Sequence, residues 1–378
     1  MNQRRLAGLS ILVAGHMLFT AQVWAASWQS AVSSRVSTEF DSNPTMSPSS
    51  PGGVWRALFE PGYALTGREG ENELRAGLGL QVERSSNPAL SQNRDSPRLN
   101  LGGLHQGEVN TFGISYDYRE IAIRNAQVDA TAQGIYGTSA SRTLSGTWSN
   151  ALTERSTLSV DGSHAAVTYK GGPYLDYSLQ TGGLKYGYVF SEGNTSFIAV
   201  SEDKYMPSVG GQSARIARAL LGLELKGEDI DWTVQAGKFK GSQDNSGLLG
   251  SVGAHYTGQR NQLILNAGHL VFPSGLGGFV NADQEKASWL YALSENSNAG
   301  IDLEHDKYHY LGNRNISSVA GNAIDYSTTI AGVWMERDLN FFWKMRAYCQ
   351  HRMNKVVGVD GAFSNVLGIS FAYLNPDF

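Results

Sequence analysis

The chain has 378 residues and a formal net charge of −4, from 30 Lys and Arg against 34 Asp and Glu. This balance, without a basic stripe, excludes a nucleic-acid-binding surface. The single cysteine, Cys349, excludes an internal disulfide. The 44 glycines, together with 17 Tyr, 14 Phe and 8 Trp, indicate many turns and a large aromatic surface.

The first 25 residues follow the pattern of a cleaved secretory signal peptide. Arg4 and Arg5 precede an apolar stretch at 9–19, and Ala25 is the small residue that signal peptidase requires. A transmembrane anchor is the alternative, but a spanning helix needs about 20 apolar residues, which this stretch lacks. The sequence predicts an exported protein, with residues 26–378 forming one domain because no linker divides them.

Segments of roughly ten residues alternate between apolar and polar side chains along the rest of the chain. Leu74, Ala76 and Leu78 share one face of such a segment, and Arg75 and Gly77 share the other. We count about 18 segments, each long enough to cross a bilayer as a tilted strand, with 16 or 14 as alternatives. The pattern predicts an all-β protein, an antiparallel up-and-down transmembrane barrel. A soluble β-sandwich alternates too, but rarely needs so many strands.

The predicted connections alternate in length. Short polar turns such as 67–70 and 150–155 separate longer segments rich in Gly, Pro and Asn, such as 42–54, 125–138 and 273–284. Outer-membrane barrels have short periplasmic turns and longer external loops. The predicted location is therefore the bacterial outer membrane.

Aromatic residues are expected to mark the two membrane interfaces, because Trp and Tyr rings prefer the headgroup level. One expected belt lies near the short turns: Trp148, Trp232, Trp289, Trp334 and Trp343. The other lies near the long connections: Tyr118, Tyr169, Tyr205, Tyr256 and Tyr308.

Charges of both signs are expected to line the lumen. The candidate residues are Arg75, Arg119, Asp302, Glu304, Asp306, Lys344, Arg346 and Arg352. Buried charges must be paired or hydrated. The three basic residues nearest the C-terminus lie two predicted strands from the three acidic ones. This arrangement predicts either a transverse field across a pore or ion pairs that stabilise a narrow interior.

No strong catalytic motif occurs, so we predict that the protein is not an enzyme and has no cofactor. His305 and His309 lie about 13 Å apart on a strand, too far to share one ion. The acidic residues of the same strand share one face, for which pore lining is favoured over Ca²⁺ binding. We predict no metal site.

Five segments in the N-terminal half carry a family resemblance. They are 36–44 (VSTEFDSNP), 60–63 (EPGY), 72–75 (NELR), 83–86 (ERSS) and 93–98 (NRDSPR). They resemble the EpsL-like outer-membrane β-barrels that accompany exopolysaccharide-biosynthesis and exosortase systems. The resemblance implies a porin-type barrel with a transport role, and it brings no catalytic residues.

These features together predict a passive conduit for exopolysaccharide export, with Arg75, Arg119, Lys344 and Arg346 contacting an anionic polymer. A general or substrate-specific diffusion porin is the alternative, favoured if 125–138 or 273–284 folds into the lumen. A non-conducting barrel acting as scaffold, adhesin or enzyme is a second alternative. Expected partners are outer-membrane lipid, a polysaccharide or oligosaccharide, the barrel-assembly machinery and periplasmic exopolysaccharide-synthesis proteins.

Overall fold

The computed structural model describes residues 27–125, 137–172, 174–209, 212–242, 245–311, 325–356, 358 and 360–376. The predicted signal peptide lies outside these residues. The described part contains eighteen strands: β1 (Ser27–Asp41), β2 (Val54–Glu69), β3 (Asn72–Ser85), β4 (Arg94–Gln106), β5 (Asn110–Ala122), β6 (Thr138–Thr153), β7 (Ser156–Lys170), β8 (Tyr177–Ser191), β9 (Asn194–Pro207), β10 (Ala214–Lys226), β11 (Ile230–Gly241), β12 (Ser246–Thr257), β13 (Asn261–Ser274), β14 (Gly278–Ser294), β15 (Ser297–Tyr310), β16 (Tyr326–Asp338), β17 (Trp343–Val356) and β18 (Ala362–Asn375).

Each strand pairs antiparallel with the next, and the first strand pairs with the last. Val32 of β1 lies opposite Asn375 of β18, and the register continues to Asp41 opposite Val366. The sheet therefore closes on itself and leaves no free edge. Closure satisfies the backbone hydrogen bonds between strands, which a sheet in lipid requires. The prediction of an 18-stranded antiparallel barrel is confirmed.

Among the described residues, no helix is long and apolar enough to cross a membrane. A short 3₁₀ turn at Ile123–Asn125 follows β5.

The outer face of the barrel is apolar. Leu78, Leu221, Val333 and Leu367 all expose their side chains, and Leu221 is 62 % exposed. The opposite face carries the charged network and the packed clusters described below. Large exposed apolar side chains repeated on one face of every sheet segment are typical of a lipid-facing wall.

Four of the ten aromatic residues expected at the interfaces point inward, so that part of the prediction is wrong. Trp334 donates its indole N–H to Asp302 Oδ2 at 2.8 Å, and Tyr205 and Tyr308 are almost completely buried. Tyr169 packs on the inner cluster. The two-residue period of a strand decides which face a side chain lies on, and a position near the strand end does not. Gly332 lies opposite the inward-facing Asp302, and Trp334 is two residues further along the same strand. Trp334 therefore also faces the lumen.

The connection predicted at 273–284 is mostly strand. β13 runs to Ser274 and β14 begins at Gly278, which leaves a three-residue turn. Gly277 and Gly278 have φ values of 104° and 139°, which favour glycine. Pro and Gly in the sequence thus mark a tight hairpin tip and not a long loop. Most of the other predicted loop, 125–138, lies outside the described residues.

Candidate functional site

The tip of the β13–β14 hairpin folds into the barrel. The β12–β13 ladder ends where Gly250 lies opposite His269, so the rest of β13 has no partner on that side. The carbonyl of Gly275 accepts a hydrogen bond of 2.7 Å from the backbone N–H of Leu175, which follows β7. In the sheet order β7 lies six strands from β13. The hairpin therefore leaves the wall and bends over the lumen.

An aromatic cluster on the inner face of β8 to β12 holds this hairpin. The rings of Tyr177 and Tyr205 stack at 4.7 Å, and Phe279 of the hairpin lies 5.9 Å from Tyr205. Val271 and Phe239 belong to the same buried cluster. Burial of such side chains stabilises the inward position by removing apolar surface from water.

Hydrogen bonds fix the tip on its second side. The Tyr310 hydroxyl donates to the carbonyl of Gly277. The backbone N–H of Leu311 donates to Phe279 O at 3.0 Å, and the Asn245 amide donates to Leu311 O at 2.6 Å. The tip is thus a fixed constriction, held from β15 as well as from the aromatic cluster.

A buried ionic network occupies another part of the mouth, on β1 to β4, β17 and β18. Arg56 is 1 % exposed and donates to Glu39 at 2.7 Å and to Asp41 at 2.8 Å. Asp41 also accepts from the hydroxyl of Ser364 at 2.5 Å. These bonds offset part of the cost of removing the charges from water, while Arg56 Nη1 is buried without a hydrogen-bond partner among the described residues.

The network extends to the connection after β5. Glu83 accepts from Arg94 and from Arg124, the latter at 2.6 Å. Burial lowers the pKa of Arg124 to about 10, with the positive charge of Arg56 acting in the same direction. Arg124 stays charged at neutral pH, because its pKa remains well above 7. One carboxylate thereby attaches the 3₁₀ turn to the inner wall.

The strand register places all eight candidate residues on the inner face. In the acidic group, Asp302 accepts from Ser288 at 2.8 Å, and Glu304 pairs with Lys286 at 3.0 Å. Asp306 is buried. Within the part of the chain that the structure describes, no three metal-ligating side chains gather.

The basic group near the C-terminus is compensated by its neighbours. Lys344 pairs with Glu336 at 2.9 Å. Arg346 lies 4.2 Å from the ring centre of Trp334 and 4.0 Å from Asp302. These two cations are therefore engaged by the wall. Arg352 likewise donates to the side chain of Gln350 at 2.6 Å.

A different pair of cations faces the lumen at directly opposed positions, and only one of the two has an acidic partner. Arg98 of β4 lies directly opposite Arg119 of β5. Arg98 donates to Gln81 at 3.1 Å and forms an ion pair with Glu60 at 3.5 Å, whereas Arg119 contacts only the hydroxyl of Ser141, at 3.4 Å, among the described side chains. Like charges at directly opposed positions destabilise a sheet, so this pair favours an anion between the two side chains.

A polar recess lies beside this pair, toward the short turns. It has a volume of about 250 Å³ and is lined by Arg75, Asn100, Ser115 and Ser145, among others. Arg75 is bonded to Glu73 and remains largely exposed. Arg75 and Arg119 thus lie on neighbouring parts of the inner wall, whereas Lys344 and Arg346 lie elsewhere. Arg98 is not among the eight candidate residues. The alternation of apolar and polar residues could have identified it, because its side chain lies on the same face as Arg75.

The closed barrel and its apolar exterior define the class as an outer-membrane β-barrel. OccAB4 of Acinetobacter baumannii has a similar fold, with a TM-score of 0.51, 9% identity and coverage of 92% of this chain and 98% of that one. OccK2 (OpdF) of Pseudomonas aeruginosa, in complex with glucuronate, has a TM-score of 0.52 and 10% identity, with the same coverage. OccK5 (OpdH) of the same organism has a TM-score of 0.50 and 10% identity, again with coverage of 92% of this chain and 98% of that one.

No protein-family model matches the chain, and no curated protein matches it. The resemblance to barrels of exopolysaccharide loci finds no support in these comparisons. The similar solved structures are outer-membrane porins and not enzymes. The fold places the protein in the bacterial outer membrane.

Proposed function

We propose that this protein is a diffusion porin for small polar solutes, with a preference for solutes that carry a carboxylate or another anionic group. The single observation behind the proposal is the inward-folded β13–β14 hairpin, which narrows a closed barrel with a polar inner wall. A fixed constriction selects by size, as pore diameter and lining groups do in other channels.

The anionic preference rests on Arg98 and Arg119. Their opposed guanidinium groups offer planar, bidentate donors to a carboxylate. The acidic Asp302 and Glu304 lie on β15, on a distant part of the wall. Asp302 and Glu304 are themselves paired with Arg346 and Lys286, so the anionic preference depends on Arg98 and Arg119 alone. OccK2, which shares the fold, was solved with glucuronate, a solute of this chemical class.

Export of exopolysaccharide was the main function predicted from the sequence, and the comparisons do not support it. A hairpin fixed inside the lumen favours small solutes over a bulky polymer. The basic residues proposed to contact such a polymer do not form one group. Lys344 is paired with Glu336, whereas Arg119 contacts only the neutral Ser141.

The test is transport by the full-length mature protein reconstituted in liposomes. We expect swelling with glucuronate and with glucose, faster with glucuronate, and little swelling with a long dextran. Planar-bilayer recordings in a KCl gradient would give the ion selectivity of the same preparation. Absence of both swelling and conductance from a correctly folded barrel would exclude a porin, and equal rates for charged and neutral sugars would exclude the anionic preference.

A further inference from the structure

Four cations cluster on the outer face of the barrel, at the rim that carries the long connections. Lys204 of β9, Arg215 of β10, and Lys238 and Lys240 of β11 occupy three adjacent strands. We call these four residues the outer basic patch. They share the face of the exposed Leu221 and not the face that lines the lumen.

The strand register brings these cations close together. Arg215 lies directly opposite Lys204, and Lys240 lies opposite Ala217, two residues from Arg215. Directly opposed Cβ atoms are about 5 Å apart and diagonal ones about 7–8 Å. Four positive charges therefore share a surface about 15 Å across. Like charges at this spacing repel one another unless an anion lies between them.

The protein supplies little counter-charge at this place. Arg215 lies 3.9 Å from Glu202. Among the residues that the structure describes, no acidic side chain forms an ion pair with Lys204, Lys238 or Lys240. The patch thus keeps most of its positive charge.

Two other outer-face cations are paired within the wall. Arg84 lies 2.8 Å from Asp95, and Lys170 lies 3.8 Å from Glu120. These pairs show that the barrel can neutralise a charge on its outer face locally. In the outer basic patch only Arg215 has such a partner, and the concentration of the other three cations within three adjacent strands points to a counter-charge from outside the chain.

The patch lies where the apolar band ends. On the outer face of β10, apolar side chains run from Leu225 to Ala217 and Arg215 follows. Ten residues at about 3.4 Å each, tilted by about 40°, rise roughly 25 Å, which is the height of a barrel's apolar band. Leu248 lies opposite Lys238 and is 67 % exposed, so apolar surface adjoins the cations.

We propose that the outer basic patch binds the phosphate groups of lipopolysaccharide, through its phosphorylated glucosamine headgroup, lipid A. The long connections of such barrels face outward, so the patch meets the outer leaflet. Ammonium and guanidinium groups form charge-assisted hydrogen bonds with phosphate oxygens, while the adjoining Leu248 contacts an acyl chain. This binding site is on the outside of the wall and does not depend on conduction through the lumen.

The test compares lipid binding by the mature protein and by the triple variant Arg215→Gln, Lys238→Gln and Lys240→Gln, with EDTA present. Native mass spectrometry would measure binding of diphosphorylated lipid A, dephosphorylated lipid A and phosphatidylglycerol. Each surface charge contributes roughly fivefold to affinity for an anionic lipid, so we expect about a 100-fold loss of lipid A binding in the variant. The unmodified protein should bind the dephosphorylated form and phosphatidylglycerol weakly.

The matched control is the double variant Arg84→Gln and Lys170→Gln, which removes paired cations from the same face and should keep lipid A binding. Unchanged conductance of the triple variant would show that its barrel is folded. Wild-type lipid A binding by the triple variant would overturn the proposal. So would equal binding of phosphatidylglycerol, which would indicate general attraction to anionic lipid.

Discussion

Glu83 is 2 % exposed, and it can carry its charge there because two guanidinium groups meet it. Arg94 approaches from the adjacent strand and Arg124 from the 3₁₀ turn after β5. The pair formed by Arg84 and Asp95 lies on the neighbouring outer face and is half exposed. Glu83 is shielded from water and Asp95 is not. This difference in solvent exposure decides how much each carboxylate contributes to the free energy of unfolding.

Replacement Glu83→Ala should destabilise the barrel by about 3–5 kcal/mol, because it leaves two buried cations without their partner. Asp95→Ala, the control, should cost about 0–1 kcal/mol, because its ion pair is solvated. Urea unfolding in lipid vesicles, followed by tryptophan fluorescence, would measure both. Equal losses in the two variants would contradict the role assigned to Glu83.

Arg119 and Arg142 form a matched pair for testing ion selectivity. Arg119 faces the lumen opposite Ser141, whereas Arg142 lies on the outer face over Tyr118. Arg119→Gln should lower the anion-to-cation permeability ratio by roughly two- to fivefold, which corresponds to about 0.5–1 kcal/mol for a solvated charge. Arg142→Gln should leave this ratio unchanged. Reversal potentials in a KCl gradient give the answer, and an unchanged ratio in Arg119→Gln would remove this residue from the pathway.

At the scale of an element, the β13–β14 hairpin has one flank, residues 270–274 of β13, without a strand partner. Apolar burial against Tyr205 and the hydrogen bond from Tyr310 replace the lost ladder. The element is therefore both wall and constriction.

Replacing residues 272–280 by Asn-Gly should widen the pore. Val271 and Asn281 are register partners, so a two-residue turn can join them without changing the rest of the ladder. We expect single-channel conductance to rise roughly twofold, because conductance follows the narrowest cross-section. Deletion of the exposed residues 49–51 is the control and should leave conductance unchanged. A shortened hairpin with wild-type conductance would show that the constriction lies elsewhere.

At the scale of the whole molecule, closure between β1 and β18 makes one continuous wall with two different faces. Leu221 and Gln235 lie at nearly the same level on neighbouring strands, one facing lipid and the other facing the lumen. A charge costs free energy on the first face and can be hydrated on the second.

Leu221→Arg should reduce the free energy of unfolding by about 2–4 kcal/mol, the cost of an arginine near the bilayer centre. Gln235→Arg should cost about 1 kcal/mol, mainly through loss of the hydrogen bond to Ser251. Unfolding in vesicles of defined thickness would measure the two values. If both variants lost the same stability, the assignment of the outer face would be wrong.

The sequence alone determined the all-β barrel class, a count of about 18 strands and the faces of most side chains. These properties follow from a two-residue period and from turn residues, which are local and visible in a single chain. The faces of Arg75, Leu78 and Asp302 could be assigned in this way.

Only the tertiary structure decided where the lumen narrows and which charges remain free. The contact between Leu175 and Gly275 and the ion pair between Glu83 and Arg124 join residues that are far apart in the chain. No local pattern encodes such contacts, because they arise when a closed wall brings distant strands around one lumen. For the same reason Lys344 is engaged by its neighbours, a fact that alternation could not show.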